Sequence, residues 1–241
     1  MILIKKIIPI FKKSNVVDES TILFFKRAAN GFTWNCKHGY LTVAQWLYDS
    51  QLSDCKYNIF YSMHEACKYG QLKTAQWLFS IFSCTHKISP NCCWLYACCT
   101  SGNLKLVQWM YLIYTQNNIK VCNDQALEIF KEVCTIGHLG VARWFYSIKI
   151  IDIGTNFEDE FVACCEHGHI NLAKWLYSIK GINFDKRMIR SVCRFWRYRY
   201  VSTYSTSHIR ELYQWLQQIL SALRISSPHE INEWSKNLII I

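Results

Sequence analysis

Apolar residues recur with helical spacing in five similar segments of this chain of 241 residues. In the clearest segment, Leu72, Ala75 and Leu78 are apolar, whereas Lys73 and Gln76 are polar. A spacing of three to four residues aligns apolar side chains along one face of an α-helix. The pattern therefore predicts five amphipathic helices that each bury one stripe.

A glycine precedes each predicted helix, and a cysteine and a tryptophan lie at fixed distances from it. The cysteine stands three residues before the glycine, and the tryptophan stands seven residues after it. The glycines are 31 to 35 residues apart, a period typical of stacked helical hairpins. We expect each glycine to end a first, shorter helix in the left-handed conformation, which costs glycine little. The repeated positions are Cys36, Gly39 and Trp46; Cys67, Gly70 and Trp77; Cys99, Gly102 and Trp109; Cys134, Gly137 and Trp144; and Cys165, Gly168 and Trp175.

Three further positions of the repeat are apolar in all five copies and form the predicted core. Because an indole buries about 150–250 Å², we also expect each repeated Trp to be the main buried anchor of its unit. The core positions lie seven residues before the glycine (Phe32, Met63, Leu95, Phe130, Phe161), five after it (Ala44, Ala75, Val107, Ala142, Ala173) and eight after it (Leu47, Leu78, Met110, Phe145, Leu176).

The repeated motif resembles the ankyrin repeat, over about residues 29–187. The family's Thr-Pro opening is absent, and its Gly-Ala-Asp loop is replaced by variable segments such as residues 146–157. The Trp-Leu-Tyr version, in a chain rich in Ile, Asn, Lys and Tyr, is similar to divergent ankyrin arrays encoded by large DNA viruses of amoebae. The resemblance is strongest where the family has Leu-His, Ala-Ala, Gly-x-Leu and Leu-Leu, which are here Met63-His64, Ala66-Cys67, Gly70-x-Leu72 and Trp77-Leu78.

The resemblance implies an all-α, ankyrin-like solenoid of stacked helix-turn-helix repeats with terminal capping helices. A sixth repeat is interrupted, since Cys193 and Trp215 keep the repeated residue types but are separated by an insertion. The expected organisation is an N-terminal cap at 1–28, five repeats at 29–59, 60–91, 92–126, 127–157 and 158–187, and a degenerate repeat with a C-terminal cap at 188–241.

The resemblance also implies a non-catalytic scaffold that binds another protein, here unidentified. In the family, partners dock on the concave face formed by the first helices and the preceding loops. The two residues before each glycine carry over to that face, and they vary among the copies. This variation suits a surface shaped for one partner and also suits unconstrained drift. The residues are Lys37, His38, Lys68, Tyr69, Thr100, Ser101, Thr135, Ile136, Glu166 and His167.

The formal net charge of +10 is unevenly distributed along the chain. Seven basic residues and no acidic residue lie between Lys186 and Arg210. Residues 194–200 alternate arginine with aromatic residues, which suits a phosphate backbone and stacked bases. In the alternative that we favour, the aromatic rings close the end of the stack and the arginines face water. Binding of nucleic acid or another anionic surface is therefore the second hypothesis, with Arg194, Trp196, Arg197 and Arg199 as its candidate residues.

The 13 cysteines are expected to be reduced and mostly buried. Their number is odd, and packed helices hold equivalent positions farther apart than a disulfide spans. Two clusters, Cys164-Cys165 with His167 and His169, and Cys92-Cys93 with Cys98 and Cys99, lack the paired spacing of zinc sites.

No catalytic constellation is recognisable either, because the cysteines recur at equivalent positions without an activating partner. We therefore expect no metal, no cofactor and no enzymatic activity. We also expect a monomer without a secretory signal or membrane span, soluble and intracellular, in the host cytoplasm if the protein is viral.

Overall fold

The computed structural model consists of helices joined by turns and loops. It describes residues 30–49, 59–85, 93–151, 157–180, 211–212 and 214–219. No strand occurs within these ranges, and residues 211–212 and 214–219 are helical. The prediction of an all-α fold is confirmed for this part of the chain. The helices are α1 (Asn30–Lys37), α2 (Leu41–Asp49), α3 (Ile59–Lys68), α4 (Leu72–Thr85), α5 (Cys93–Thr100), α6 (Leu104–Gln116), α7 (Asn123–Ile136), α8 (Leu139–Ser147), α9 (Glu158–Glu166) and α10 (Ile170–Lys180).

The chain forms two compact units, Met1–Ser101 and Gly102–Ile241. We call the helices before the repeated glycines (α1, α3, α5, α7 and α9) first helices, and those after them second helices. In the first unit, α1 packs against α2 and α3, and α3 packs against α4 and α5. In the second unit, α7 packs against α8 and α9, α9 packs against α10, and α8 contacts α6. Within each unit, a first helix thus contacts both its hairpin partner and the next first helix.

The repeated glycines make the turns between first and second helices. All five have positive φ, between 71° and 94°. At Gly39, the N–H group of Tyr40 donates to the Asn35 carbonyl (2.9 Å) and that of Gly39 donates to the Cys36 carbonyl (3.2 Å), which is the Schellman arrangement. The second and fifth turns repeat both hydrogen bonds. The predicted left-handed turn is confirmed, and a residue with a Cβ would lose about 1–2 kcal/mol there.

The core comes from the predicted repeat positions. The side chains seven before, three before, five after and eight after each glycine are all at most 2 % exposed. The small residues three before and five after the glycine leave room for helices to approach closely, while larger side chains fill the layer between them. The nine described cysteines that include these positions are all free thiols.

The five repeated tryptophans are not the buried anchors that we expected. Each is only partly buried, whereas the residue that follows it, such as Leu78 or Phe145, is completely buried. Consecutive residues point about 100° apart around a helix, so the position next to the core stripe lies on its flank. The indole therefore covers the edge of the core and does not fill its centre.

Three of these tryptophans, and also Trp215, instead form edge-to-face contacts with a tyrosine of the preceding second helix. The partner is the tyrosine nine residues after the preceding glycine. Such pairs contribute about 0.5–1.5 kcal/mol beyond their buried area. The pairs, with ring-centre distances and interplanar angles, are Tyr48–Trp77 (5.9 Å, 89°), Tyr111–Trp144 (5.4 Å, 83°), Tyr146–Trp175 (5.8 Å, 88°) and Tyr177–Trp215 (5.8 Å, 86°).

Trp215 thus makes the contact that a sixth repeat would make. The boundaries of all the repeats stay predictions, and the cap at 1–28 and the segment containing Arg194, Trp196, Arg197 and Arg199 lie outside the described residues. Among the described helices, none is long and apolar enough to cross a bilayer.

Candidate functional site

The residues proposed from the sequence as partner contacts all lie at the ends of first helices or in the turns. None of the ten is fully buried. Several hydroxyl groups among them are used locally: Thr100 donates to the Ala97 carbonyl (2.9 Å) and Ser101 donates to the Cys98 carbonyl (2.6 Å). Thr135 likewise donates to the carbonyl four residues earlier. These hydroxyls are therefore structural as well as accessible.

Three of the ten come together in the first unit, beside residues that the sequence argument did not select. The Lys37 ammonium lies 4.2 Å from the ring centre of Tyr69, and the His38 ring lies 6.4 Å from the same ring. The ring centre of His38 also lies 4.3 Å from that of Trp34, and the ring centre of Trp34 lies 5.6 Å from that of Tyr40. We call these five residues the aromatic cluster.

The aromatic cluster lies where α1 and α3 pack side by side. Thr33 on α1 hydrogen-bonds to Ser62 on α3 through their hydroxyl groups at 2.7 Å, and Ser62 is completely buried. This contact, with the packing of the two first helices, fixes their relative register. The turns after both helices then bring His38 and Tyr69 to the same end of the pair.

The charges around Lys37 are balanced within the first unit. Its ammonium lies 3.9 Å from the Glu65 carboxylate, and His64 lies 3.7 Å from the same carboxylate group. The contact with Tyr69 is the largest cause that raises the pKa of Lys37, and Glu65 shifts it in the same direction. Lys37 therefore remains charged at neutral pH, with its charge directed to groups of its own unit.

Large apolar side chains are exposed mainly on the first helices of the first unit. Trp34 is 51 % exposed, Tyr61 58 %, Tyr69 46 % and Phe60 44 %. These make four of the six exposed large apolar side chains in the described part of the chain. They belong to α1, α3 and the turn after α3, so the exposed apolar surface is concentrated on the first helices of one unit.

A different arrangement covers the turns. At three places the residue that follows a turn glycine reaches back over the preceding turn: Gln71 over Gly39, His138 over Gly102 and His169 over Gly137. The Nε2 atom of His169 lies 2.9 Å from the Thr135 carbonyl oxygen and donates to it. A turn glycine is thus required for two reasons. It adopts the left-handed backbone conformation, and its missing Cβ leaves space for a side chain of the next repeat.

His169 belongs to a group of histidines in the second unit. Its ring stacks with that of His167 at 6.3 Å and 9°, and His167 contacts the Ala163 carbonyl through Nδ1 at 2.9 Å. Burial is the main cause that lowers the pKa of His169, and the nearby His167 and His138 lower it further. The neutral form of His169 is therefore favoured in the folded chain.

The described cysteines of the two clusters are buried thiols or lie beside them. Burial raises the pKa of the thiols of Cys98, Cys99, Cys164 and Cys165, so they are poor nucleophiles at neutral pH. Within the described ranges, no three side chains of His, Cys, Asp or Glu converge as metal ligands. The Cys164 thiol is instead directed at the Cys134 carbonyl oxygen, 3.5 Å away.

Trp34 and Tyr61 are not among the residues predicted from the sequence, although the sequence contains a signal for both. Trp34 stands five residues before its glycine, where the other copies have Glu65, Ala97, Glu132 and Ala163. Tyr61 stands nine residues before its glycine, where the other copies have polar residues or cysteine. A large aromatic residue at a position that is elsewhere small or polar marks a local departure from the repeat.

In comparisons with known proteins, no family model matches this chain and no curated protein matches it significantly.

Proposed function

We propose that this chain is a non-catalytic scaffold of ankyrin-type repeats that binds another protein through the exposed faces of its first helices. The repeat assignment is supported by the five helix pairs around left-handed glycines. It is further supported by the packing of neighbouring first helices within each unit. Such a scaffold presents side chains from successive repeats at fixed intervals.

The observation that carries the binding proposal is the aromatic cluster. Trp and Tyr are the residue types that contribute most often to binding energy at protein interfaces. Trp34 and Tyr69 expose about half of their surfaces, as the 51 % and 46 % values indicate. They are held by His38 and Lys37, so little side-chain freedom remains to be lost when a partner covers them.

The cluster suits a protein partner better than a nucleic acid. Base stacking needs an open ring face, and the Lys37 ammonium already occupies one face of Tyr69, while the His38 ring centre lies 4.3 Å from that of Trp34. Phosphate binding needs available positive charge, but Lys37 is paired with Glu65. The exposed parts of Trp34 and Tyr69 are suited to packing against apolar side chains.

Affinity capture from cells that produce the protein tests this proposal. Trp34→Ala combined with Tyr69→Ala should reduce recovery of specific protein partners by about 30-fold, if the two behave as typical interface hot spots. Leu112→Ala is the matched control, because Leu112 is 52 % exposed on α6 outside the cluster. Circular dichroism should show that all variants remain helical.

A fourth bait separates the two hypotheses about the partner. It carries Arg194→Glu, Arg197→Glu and Arg199→Glu, and lysates are treated with nuclease in parallel. The protein-binding proposal expects the same partners with this bait and after nuclease treatment. The protein-binding proposal would be contradicted if the bait with the three arginine changes lost the partners while the Trp34 and Tyr69 variant still recovered them.

A further inference from the structure

A cavity of about 430 Å³ lies in the second unit, outside the aromatic cluster. It lies between the loop that follows α6 and the loop that follows α8, and Tyr111 of α6 lines it as well. We call it the loop cavity. Its size falls within the range of small-molecule sites, and neither loop contributes to the function proposed above.

The ends of α6 and α8 create this space. After α6, the Ile119 N–H donates to the Tyr114 carbonyl at 2.9 Å, and Asn118 has a φ of 56°. After α8, the Lys149 N–H donates to the Tyr146 carbonyl at 3.2 Å, and Lys149 has a φ of 53°. A left-handed residue therefore turns the chain sharply away from each helix, and the cavity is bounded by the two loops.

The lining of the loop cavity combines an apolar wall with two cations. Tyr111, Ile119 and Ile148 contribute to the wall, and Ile119 is buried. Lys120 and Lys149 are exposed and also line the cavity, whereas no Asp or Glu of the described residues does. Neither lysine forms an ion pair in the described part of the chain. The two ammonium groups are therefore available next to an apolar surface.

The conformation of Lys149 adds a second argument. Left-handed backbone favours Gly or Asn, and Asn118 follows this preference at the equivalent end of α6. A lysine is less favourable there, so its side chain is placed over the cavity at a cost in backbone energy.

We propose that the loop cavity binds a small organic anion with an apolar tail. The anionic group meets Lys120 and Lys149, and the tail packs against Ile119 and Ile148. Carboxylates, sulfates and phosphates share the recognised charge, and the apolar wall selects against inorganic anions. The affinity expected of a small ligand in an open site is in the millimolar range.

Monohexyl phosphate is a suitable probe, followed by NMR of the full chain labelled with ¹⁵N. The proposal expects saturable shifts in the amides of Ile119, Ile148 and Lys149. Hexanol lacks the charge and inorganic phosphate lacks the tail, so each should bind at least about tenfold more weakly than the probe. Hexyl sulfate should bind similarly to hexyl phosphate, which tests whether charge or phosphate is recognised.

Variants test the two lysines directly. Lys120→Met with Lys149→Gly removes both charges and suits the left-handed backbone, and it should weaken binding of the probe about tenfold. Lys105→Met is the control, because Lys105 is an exposed lysine of α6 that does not line the cavity. The proposal is overturned if the probe gives no saturable shifts at the cavity residues across the millimolar range. Equal affinity of the double variant and the control would overturn it as well.

Discussion

Gly137→Ala adds one methyl group at a point where two successive repeats pack against each other, and so tests this packing. Gly137 has a φ of 94°, and a Cβ placed on it would lie 2.5 Å from Cε1 of His169. The methyl group therefore imposes an unfavourable backbone conformation and also displaces the His169 ring. Displacement of the ring breaks the hydrogen bond between His169 and the Thr135 carbonyl.

The magnitude follows from these two effects. A residue with a Cβ loses about 1–2 kcal/mol in the left-handed region, and the lost hydrogen bond contributes about 0.5–1.5 kcal/mol. Gly137→Ala should therefore lower the free energy of unfolding by about 1.5–3.5 kcal/mol. Gly140→Ala is the matched control, because Gly140 is in α8 and its Cβ would meet nothing within 4 Å. It should raise the stability by about 0.5–1 kcal/mol.

Equilibrium unfolding in urea, followed by far-UV circular dichroism, measures both changes. A third variant combines Gly137→Ala with His169→Ala. Once the ring is absent, adding the methyl group should cost only the backbone term, about 1–2 kcal/mol. The reasoning is refuted if Gly137→Ala is as stable as the unmodified chain, or if Gly140→Ala is destabilised by the same amount.

Three further predictions concern other parts of the structure. Because burial lowers the pKa of His169 below its ordinary value of 6.5, the unfolded chain binds a proton there more readily than the folded chain. The contribution of His169 to the free energy of unfolding should thus be fully present above pH 6.5 and decline as the pH falls below it. Urea titrations at several pH values should show a smaller decline in His169→Gln, and equal pH profiles of the two proteins would contradict this. The Tyr146–Trp175 contact should give a coupling of about 0.5–1.5 kcal/mol in a double-mutant cycle with leucine at both positions, and a coupling near zero would reject it. A thiol reagent read out by peptide mass spectrometry should modify exposed Cys122 in the folded chain but buried Cys165 only after unfolding, and equal labelling rates would show that Cys165 is accessible.

The local fold was predictable from the sequence because features shared by five copies can be separated from features of a single copy. Five copies with a glycine at one position and apolar residues at fixed offsets leave few alternatives to helical pairs. The buried positions were predictable for the same reason, as at Phe130 and Ala142, which are completely buried. The boundaries of the repeats and their caps remain predictions, since they depend on segments outside the described residues.

The contacts between neighbouring repeats were less predictable. They depend on how the repeats are aligned, and a single copy of the motif does not specify this alignment. The pattern within one repeat does not indicate that Gln71 and His169, which directly follow turn glycines, cover the preceding turns. The size of the repeated tryptophans predicts that they lie in the core, but their direction on the helix places them beside it. Their tyrosine partners lie about a repeat away along the chain, so this pairing was not visible in a single unit.

The candidate site was predicted in part. Position in the repeat selected Lys37, His38 and Tyr69, and the structure brings these three together. The same rule overlooked Trp34, because the rule described what the copies share and Trp34 is where one copy differs. Binding surfaces are made from such departures, so they are less predictable than the scaffold that carries them.

Photocrosslinking in the cell tests the central claim that the aromatic cluster is a protein-binding surface. A benzophenone amino acid is placed at Tyr69, which is 46 % exposed in the cluster, and in a second protein at Leu112, which is 52 % exposed on α6. After irradiation, we expect discrete adducts with another protein at Tyr69 and none of these adducts at Leu112. Adducts of equal yield at both positions, or adducts of Tyr69 only with nucleic acid, would contradict it.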